Sequence, residues 1–256
     1  MNLLSPLGAR RLPVGAELLS GTTGSFRVWA PQRKQVTLVV EGDTPRETAL
    51  AREADGYFTA TIDDAHTGML YRYRLDDEPE LRPDPASRSQ PRGHQGPSQL
   101  VDPAAYRWRD AAWSGVDLRG QVLYEMHIGT FTSAGTWQAA ARELPWLAKI
   151  GITLLEIMPV GEFPGAYGWG YDVHLYAPTH LYGTPDDMRA FVDTAHGLGM
   201  GVILDVVYNH FASVGSFLDA YTPDYFTDRH QNDWGNAINY DGPRSGPVRE
   251  FVLANV

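Results

Sequence analysis

The sequence contains no cysteine among its 256 residues. A disulfide framework and a metal site built from thiolates are therefore both excluded. Lysine is almost absent as well, since only Lys34 and Lys149 occur, and the formal net charge is −10. Because a nucleic-acid backbone or an anionic membrane is bound through clustered basic residues, we expect neither nucleic acid nor membrane as a partner.

Long apolar runs are also missing, and none reaches the roughly 18 residues that a membrane span requires. The first 19 residues lack a basic segment followed by a continuous apolar one, so no secretory signal is predicted. With 43% hydrophobic and 11% aromatic residues, the chain can bury a substantial core in one large domain or two ordinary ones. We therefore expect a globular protein with a cytoplasmic location.

Residues 24–75 alternate apolar and polar side chains in short runs that are separated by turn-forming clusters. The apolar positions are Phe26/Val28/Ala30, Val36/Leu38/Val40, Phe58/Ala60/Ile62 and Tyr71/Tyr73/Leu75. This period of two, at this spacing, predicts a small antiparallel β-sandwich. Residues 81–103 are rich in proline, glycine, serine, glutamine and arginine, so we expect irregular chain leading out of the sandwich.

After Leu118, apolar strands alternate with helical patterns, as is typical of parallel βα units. The predicted strands are at about 121–127, at 153–158 and from 201 onward, with a helix at about 136–149 between the first two. Pro145 is expected to kink or interrupt that helix. A second helix is predicted to begin at Thr184, which can cap it, followed by Pro185 and two aspartates that favour the first turn.

This order of elements is compatible with an open doubly wound sheet or a closed (β/α)8 barrel. A dinucleotide-binding sheet would place Gly-x-Gly-x-x-Gly after its first strand, whereas this strand leads into His127-Ile-Gly-Thr-Phe-Thr-Ser133. The barrel is therefore favoured. The predicted fold class is multidomain, a β-sandwich followed by the first three βα units of a (β/α)8 TIM barrel.

Polar groups at the end of the third strand are candidates for function, because barrel sites lie at the C-terminal ends of strands. Asp205, Asn209 and His210 lie there. Strict alternation would put His210 on the opposite face, so the chain must turn near Val207 for all three to meet one ligand. Alternatively, Asp205 is a structural carboxylate and His210 an ordinary loop histidine.

Aromatic side chains are dense in the loop after the second strand and again near residues 234–240. They are Tyr167, Trp169, Tyr171, Tyr176, Trp234 and Tyr240. Flat apolar rings beside hydrogen-bonding groups suit sugars, which present both C–H faces and hydroxyl edges. The same aromatics could equally belong to the core.

The segment Asp205-Val-Val-Tyr-Asn209-His210 resembles the Asp-x-x-x-Asn-His signature that ends the third barrel strand in the α-amylase superfamily. Other segments agree in order and kind: Tyr124-Glu-Met-His127, Glu156-Ile-Met-Pro159 and Trp169-Gly-Tyr-Asp172. Three further segments resemble the maltooligosyltrehalose trehalohydrolase branch: Arg82-Pro-Asp-Pro-Ala-Ser-Arg88, His94-Gln-Gly-Pro97 and residues 225–243. The resemblance covers the chain from about Leu12 onward.

The resemblance implies an immunoglobulin-like, carbohydrate-binding-module-like sandwich at 1–103, a linker at 104–117 and barrel structure at 118–256. It implies hydrolysis of the α-1,4 bond next to the terminal trehalose of maltooligosyltrehalose by a retaining mechanism with two carboxyl groups. The ligand would be an α-glucan, with trehalose as a product. No metal ligands and no cofactor are predicted.

The resemblance also implies a role for each residue of the predicted substrate site. Tyr171 would be the platform under the sugar at the cleaved bond, and Asp172 would lie beside it. His210 would donate to the hydroxyls of that sugar, Asn209 would support its loop, and Asp205 would pair with an arginine near the nucleophile.

The family's nucleophile, acid/base and third carboxylate lie on strands four, five and seven, so we expect them beyond Val256. No catalytic residue is assigned within these 256 residues, and the isolated chain is expected to be inactive. Two alternatives remain, a glycogen branching or debranching enzyme and a non-catalytic α-glucan-binding module. Residues 225–243 argue against the first, and uncovered strand edges argue against the second.

Overall fold

A computed structural model of the chain describes residues 10–171, 174–212 and 217–256. The N-terminal region is an immunoglobulin-like β-sandwich, as predicted. Its main strands are β1 (Gly15–Ser20), β2 (Thr23–Trp29), β3 (Val36–Val40), β4 (Arg46–Ala49), β5 (Ala51–Arg52), β6 (Tyr57–Ile62) and β7 (Leu70–Leu75). One antiparallel sheet has the order β1-β2-β6-β5, and β4-β3-β7 form the other.

The segment after β7 is mostly irregular, as its composition predicts, but it stays attached to the sandwich. The two short strands β8 (Leu81–Arg82) and β9 (Ser98–Gln99) both pair with β7. Between them Asp84 is fully buried, and its carboxylate accepts hydrogen bonds from the hydroxyl of Tyr71 and the backbone N–H of Ala86, both at 2.8 Å. Burial raises the pKa of Asp84 above its usual range.

A parallel three-stranded sheet follows, confirming the predicted βα units. Its order is β10 (Leu123–Met126), β11 (Leu154–Ile157) and β12 (Gly201–Leu204), in register without a shift. A short helix, α1 (Ile128–Phe131), begins directly after β10. The helices α2 (Trp137–Lys149) and α3 (Pro185–Gly197) pack together against the sheet.

The ends of these helices follow from their sequence. Thr184 forms a capping box with Asp187, so the predicted start of α3 is confirmed. By contrast, α2 continues through Pro145 to Lys149, and the possible early break does not occur. The buried side chains of Leu144 and Leu147 flank the proline and hold the helix on the core.

The third strand is shorter and less buried than its apolar sequence suggests. It ends at Leu204, and Ile203, Leu204 and Val206 are partly exposed. Within the described ranges β12 pairs only with β11, so its other edge lacks a neighbouring strand to cover these side chains.

The last part of the chain returns toward the sandwich. The strand β13 (His210–Ala212) pairs antiparallel with β14 (Gly235–Ala237), and the helices are α4 (Leu218–Tyr221) and α5 (Ser245–Leu253). None of the helices in the described parts is long and apolar enough to span a bilayer.

Two apolar cores result. One core lies between the parallel sheet and the helices α2 and α3. The other core is the sandwich interior together with aromatic residues from 176 onward. For example, the ring of Trp29 on β2 packs edge-on against Tyr225, with ring centroids 5.2 Å apart. The Tyr221 hydroxyl donates to the carbonyl of Pro83 at 2.9 Å, which also ties the two regions together.

Candidate functional site

A small cavity of about 50 Å³ lies at the carboxyl ends of β11 and β12, where a barrel site is expected. The polar side chains in its lining are Tyr171, His174, Asp205, Tyr208 and Asn255. This volume is well below the 300–1,000 Å³ or so of a typical small-molecule pocket. The cavity can hold a few water molecules or the polar edge of a larger ligand.

Tyr171 is aimed at this cavity by the glycine that precedes it. Gly170 has a φ of +78°, and a Cβ there would lie 2.0 Å from the carbonyl oxygen of Pro159. Only glycine therefore allows this loop conformation. The pKa of Tyr171 is raised, first by partial burial and then by the negative charges of Asp205 and Glu125. Sequence reasoning did not single out Glu125, whose position on β10 brings it near this ring.

Asp205 follows β12 directly and lines the same cavity as Tyr171. Its backbone N–H donates to the carbonyl of Ile157 at 2.9 Å, which extends the parallel pairing by one residue. In the described part of the chain, no arginine or lysine forms a salt bridge with its half-buried carboxylate. The arginine partner implied by the family resemblance is therefore not supplied here.

Asn209 and His210 lie together but do not line the cavity. Nδ1 of His210 donates to Oδ1 of Asn209 at 2.5 Å. The pairing of β13 with β14 brings Trp234 to His210, with ring centroids 6.3 Å apart. Trp234 is 70% exposed, whereas His210 is buried, so this pair offers one open aromatic face. Asp172, the fifth predicted site residue, lies outside the described residues.

A wider depression of about 500 Å³ lies against the same aromatic loop. Tyr167 and Trp169 border it and are 94% and 73% exposed. His127 holds the loop, since its Nε2 donates to the carbonyl of Gly168 at 3.2 Å and lies 3.0 Å from the hydroxyl of Tyr182. Burial raises the pKa of Tyr182 to about 12, so its hydroxyl remains protonated.

Two buried polar residues near the cavity were missed by sequence reasoning. His174 donates from Nε2 to the carbonyl of His94 at 2.9 Å, and burial lowers its pKa to about 4. Glu162 is buried and accepts from both the backbone N–H and Nδ1 of His180, each at 2.9 Å. Each lies in a loop without periodicity, and the partner of His174 is 80 residues away, so no local signal identified them.

Over the three described stretches, no three histidine or acidic side chains come together as metal ligands. The polar lining of the cavity, a carboxylate, a histidine, an amide and two phenols, instead suits hydrogen bonding to a neutral, hydroxyl-rich ligand.

Comparison with known families defines the class of protein. Residues 92–244 match the sequence model of the α-amylase catalytic domain. Residues 6–87 match carbohydrate-binding module 48, the isoamylase N-terminal domain. The chain therefore belongs to the α-amylase family.

Several curated relatives are similar to this chain over most of its length. The malto-oligosyltrehalose trehalohydrolase of Rhizobium sp. (strain M-11) is 44% identical over 91% of this chain and 40% of its own length. That of Deinococcus radiodurans is 42% identical, and the match covers 97% of this chain and 39% of the relative. The chain thus spans about 40% of the length of these curated relatives.

Solved structures agree with the fold. The crystal structure of a "Putative alpha Amylase" from Salmonella typhimurium matches 95% of this chain, and the match covers 41% of that protein's chain. The TM-score is 0.89 and the sequence identity is 41%. A pullulanase from Anoxybacillus sp. LM18-11, complexed with maltotetraose, matches 97% of this chain and 43% of its own. The TM-score of this match is 0.79 and the sequence identity is 24%, so the match shows a shared fold only.

Proposed function

We propose that the protein is a glycosidase that cleaves the α-1,4 bond next to the terminal trehalose of maltooligosyltrehalose and releases trehalose. The observation that carries the proposal is 41–44% identity to malto-oligosyltrehalose trehalohydrolases over 89–97% of this chain. A 1,4-alpha-glucan branching enzyme from Thiobacillus denitrificans is only 32% identical over a similar span. Glucan branching is therefore the second candidate function.

The geometry supports an α-glucan as the ligand. Tyr171 and Asp205 line one cavity, which is too small for a sugar ring, so the ring would lie over it with its hydroxyls directed inward. Tyr171 would stack on the C–H face, and the carboxylate of Asp205 would accept from a hydroxyl. Asp172 belongs to the proposed site by resemblance alone.

The open face of Trp234 supports a second sugar contact. The ring lies beside His210, which in turn is oriented by Asn209. We assign Trp234 to the proposed substrate-contacting residues, together with Asn209 and His210. A glucan that extends from Tyr171 toward Trp234 would use both groups of predicted site residues.

The 256-residue chain alone is proposed to lack hydrolytic activity, and the cytoplasmic location stays a prediction. In the family that the sequence resembles, the reacting carboxylates come from later strands than the three parallel strands described here. Without a nucleophile and an acid/base, the retaining mechanism cannot proceed.

Product analysis tests the proposal. The purified 256-residue chain and the product of the complete coding sequence are each incubated with maltotriosyltrehalose and, separately, with amylose. We expect trehalose release only from the complete product, with no new branch points in amylose. Branched product without trehalose would support the second candidate. Trehalose release by the short chain above a heat-denatured control would contradict its proposed inactivity.

Glucan binding by the short chain tests the site itself. Tyr171→Ala should weaken maltoheptaose binding roughly 5- to 10-fold, as expected for loss of one aromatic stacking contact. Tryptophan fluorescence measures the binding, and Tyr106→Ala is the matched control because Tyr106 contacts Asp193 on α3 and does not line the cavity. Equal affinity of both variants would count against the assigned platform.

A further inference from the structure

The chain immediately after α5 contacts both walls of the cavity. Nδ2 of Asn255 donates to the carbonyl of Leu175 at 3.0 Å, and the hydroxyl of Tyr208 donates to its Oδ1 at 2.8 Å. Leu175 follows the loop that carries Tyr171, and Tyr208 follows Asp205. A single side-chain amide therefore connects the two segments that present the proposed sugar-binding groups.

The orientation of this amide is fixed by its partners. A carbonyl oxygen can only accept, so the nitrogen of Asn255 must face Leu175. The amide oxygen then faces the phenol of Tyr208, which must be the donor. Partial burial raises the pKa of Tyr208, so the hydroxyl keeps the proton that this bond requires. Both ends of the side chain are used, and an aspartate could not replace the N–H donor.

The helix α5, which precedes Asn255, is held in place by contacts with aromatic residues. One turn earlier, the carbonyl of Phe251 accepts a 2.5 Å hydrogen bond from the hydroxyl of Tyr176. The Phe251 ring packs against Tyr176 and Tyr225 with centroid distances of 5.1 and 5.3 Å. From the sandwich side, the guanidinium of Arg88 lies 5.0 Å from the centre of the Tyr176 ring.

The other partner, Tyr208, is held at its backbone too. Its carbonyl accepts from the hydroxyl of Tyr240 at 2.6 Å. Tyr208 is thus fixed at main chain and side chain, and it directly precedes Asn209 and His210. A shift of Tyr208 would therefore displace the groups that follow it.

We propose that Asn255 is a positioning residue that sets the spacing between the Tyr171 loop and the Asp205–Tyr208 segment for α-glucan binding. The identity of the ligand rests on the proposed function, whereas the spacing role rests on the two hydrogen bonds alone. Asn255 does not react with the sugar; it acts through Leu175 and Tyr208.

Two variants remove the two halves of this connection. Asn255→Asp keeps the size and the acceptor for Tyr208 but replaces the N–H donor with an oxygen that repels the Leu175 carbonyl. Tyr208→Phe removes only the other hydrogen bond and serves if the first variant fails to fold. Gln231→Glu is the matched amide-to-carboxylate control, because Gln231 is exposed, lies outside the cavity lining and is not paired with either measured segment.

Hydrogen–deuterium exchange of the ligand-free chain, with peptides covering 174–178 and 205–211, is the first measurement. Loss of one hydrogen bond should speed exchange there roughly 3- to 10-fold in both variants and leave the control unchanged. Unchanged exchange, or faster exchange throughout the chain with a matching fall in global stability, would overturn the proposal. The second measurement is maltoheptaose affinity, expected to fall roughly 3- to 10-fold.

The two measurements separate the two levels of inference. If the unmodified chain binds no maltoheptaose at any accessible concentration, the α-glucan site proposed within these residues is contradicted, while the exchange result still decides the role of Asn255. If it binds and both variants bind equally well, the positioning role is overturned and the proposed function stands.

Discussion

Apolar strands meet different surroundings in the sandwich and in the parallel sheet. In the sandwich, Leu38 on β3 is 0% exposed because the two sheets cover each other. On β12, Leu204 is 39% exposed, although its strand is equally apolar in sequence. In the ranges that the structure describes, β10 and β12 each pair on one side only. A hydrophobic run thus defines a strand, but its neighbours decide how far that strand is buried.

The less covered region is also where the candidate site lies. Tyr171, Asp205 and Tyr208 line a cavity at the ends of β11, whose leucines are buried, and β12, whose last two side chains are partly exposed. The later part of the chain, which carries these groups, packs into the sandwich core through Tyr176, Tyr221 and Tyr225. We infer that the sandwich supports the candidate site, whose side chains follow the parallel strands.

The largest expected effect tests this difference in burial. Leu38→Ala should lower the free energy of unfolding by about 2–5 kcal/mol, because it leaves a cavity in a closed core. The same change at Leu204 should cost about 1 kcal/mol or less, since much of that side chain already contacts water. Urea denaturation of both variants measures the difference. Similar losses would mean that the two regions are equally well packed.

The next effect concerns stability in acid. Each region contains one buried titratable group, and the two groups change the free energy of unfolding in opposite directions as the pH falls. His174 stays neutral in the folded protein down to pH about 4, whereas an unfolded histidine is protonated below about 6.5. Stability is therefore lost as the pH falls from 6.5 to 4, by roughly 3 kcal/mol. Burial raises the pKa of Asp84, so acidification toward that pKa has the opposite, stabilising effect at that residue.

Variants of both groups separate these contributions. His174→Gln should flatten the loss of unfolding free energy between pH 7 and pH 4.5, and Asp84→Asn should steepen it. His230→Gln is the control, because His230 is exposed and paired only with Asp241 on the surface. Urea denaturation at the two pH values measures each slope. A His174→Gln variant with the parent slope would show that His174 is not the destabilising group.

The smallest effect tests the contact between the regions. Tyr221→Phe removes the hydrogen bond to the Pro83 carbonyl and should cost about 1–2 kcal/mol, because that carbonyl would stay buried. Tyr167→Phe should cost nothing measurable, since Tyr167 is almost wholly exposed. Thermal unfolding followed by circular dichroism should show one transition that shifts as a whole. Two separate transitions, with only one shifted, would mean that the regions unfold independently.

Local patterns predicted the parts of the fold that local interactions decide. The alternation around Phe26 and Tyr71 gave the sandwich strands, and Thr184 with Asp187 gave the start of α3. The end of β12 at Leu204 was not predicted, because it depends on which strands pair with that segment. The periodicity of apolar residues does not show whether a strand is paired on both sides.

The candidate site was predicted only as a set of residues, and its arrangement came from pairings distant in sequence. Trp234 reaches His210 because β13 pairs with β14, where Phe211 lies opposite Asn236. Glu125 comes near Tyr171 because β10 is a neighbour of β11. Tyr171 and Asp205 line one cavity, while His210, hydrogen-bonded to Asn209, lies beside Trp234, a division that residue spacing does not reveal.

The stacking of Arg88 on Tyr176 bears on how such proteins could be recombined. A chimera that takes its N-terminal module from one relative and its barrel from another would combine the two sides of this aromatic interface from different proteins. The side chains of the two sides would then not be complementary. Module exchange should therefore succeed only if residues facing Arg88 and Pro83, chiefly Tyr176 and Tyr221, are transplanted with the sandwich. Inheritance of the two regions would then be coupled through one shared patch of side chains.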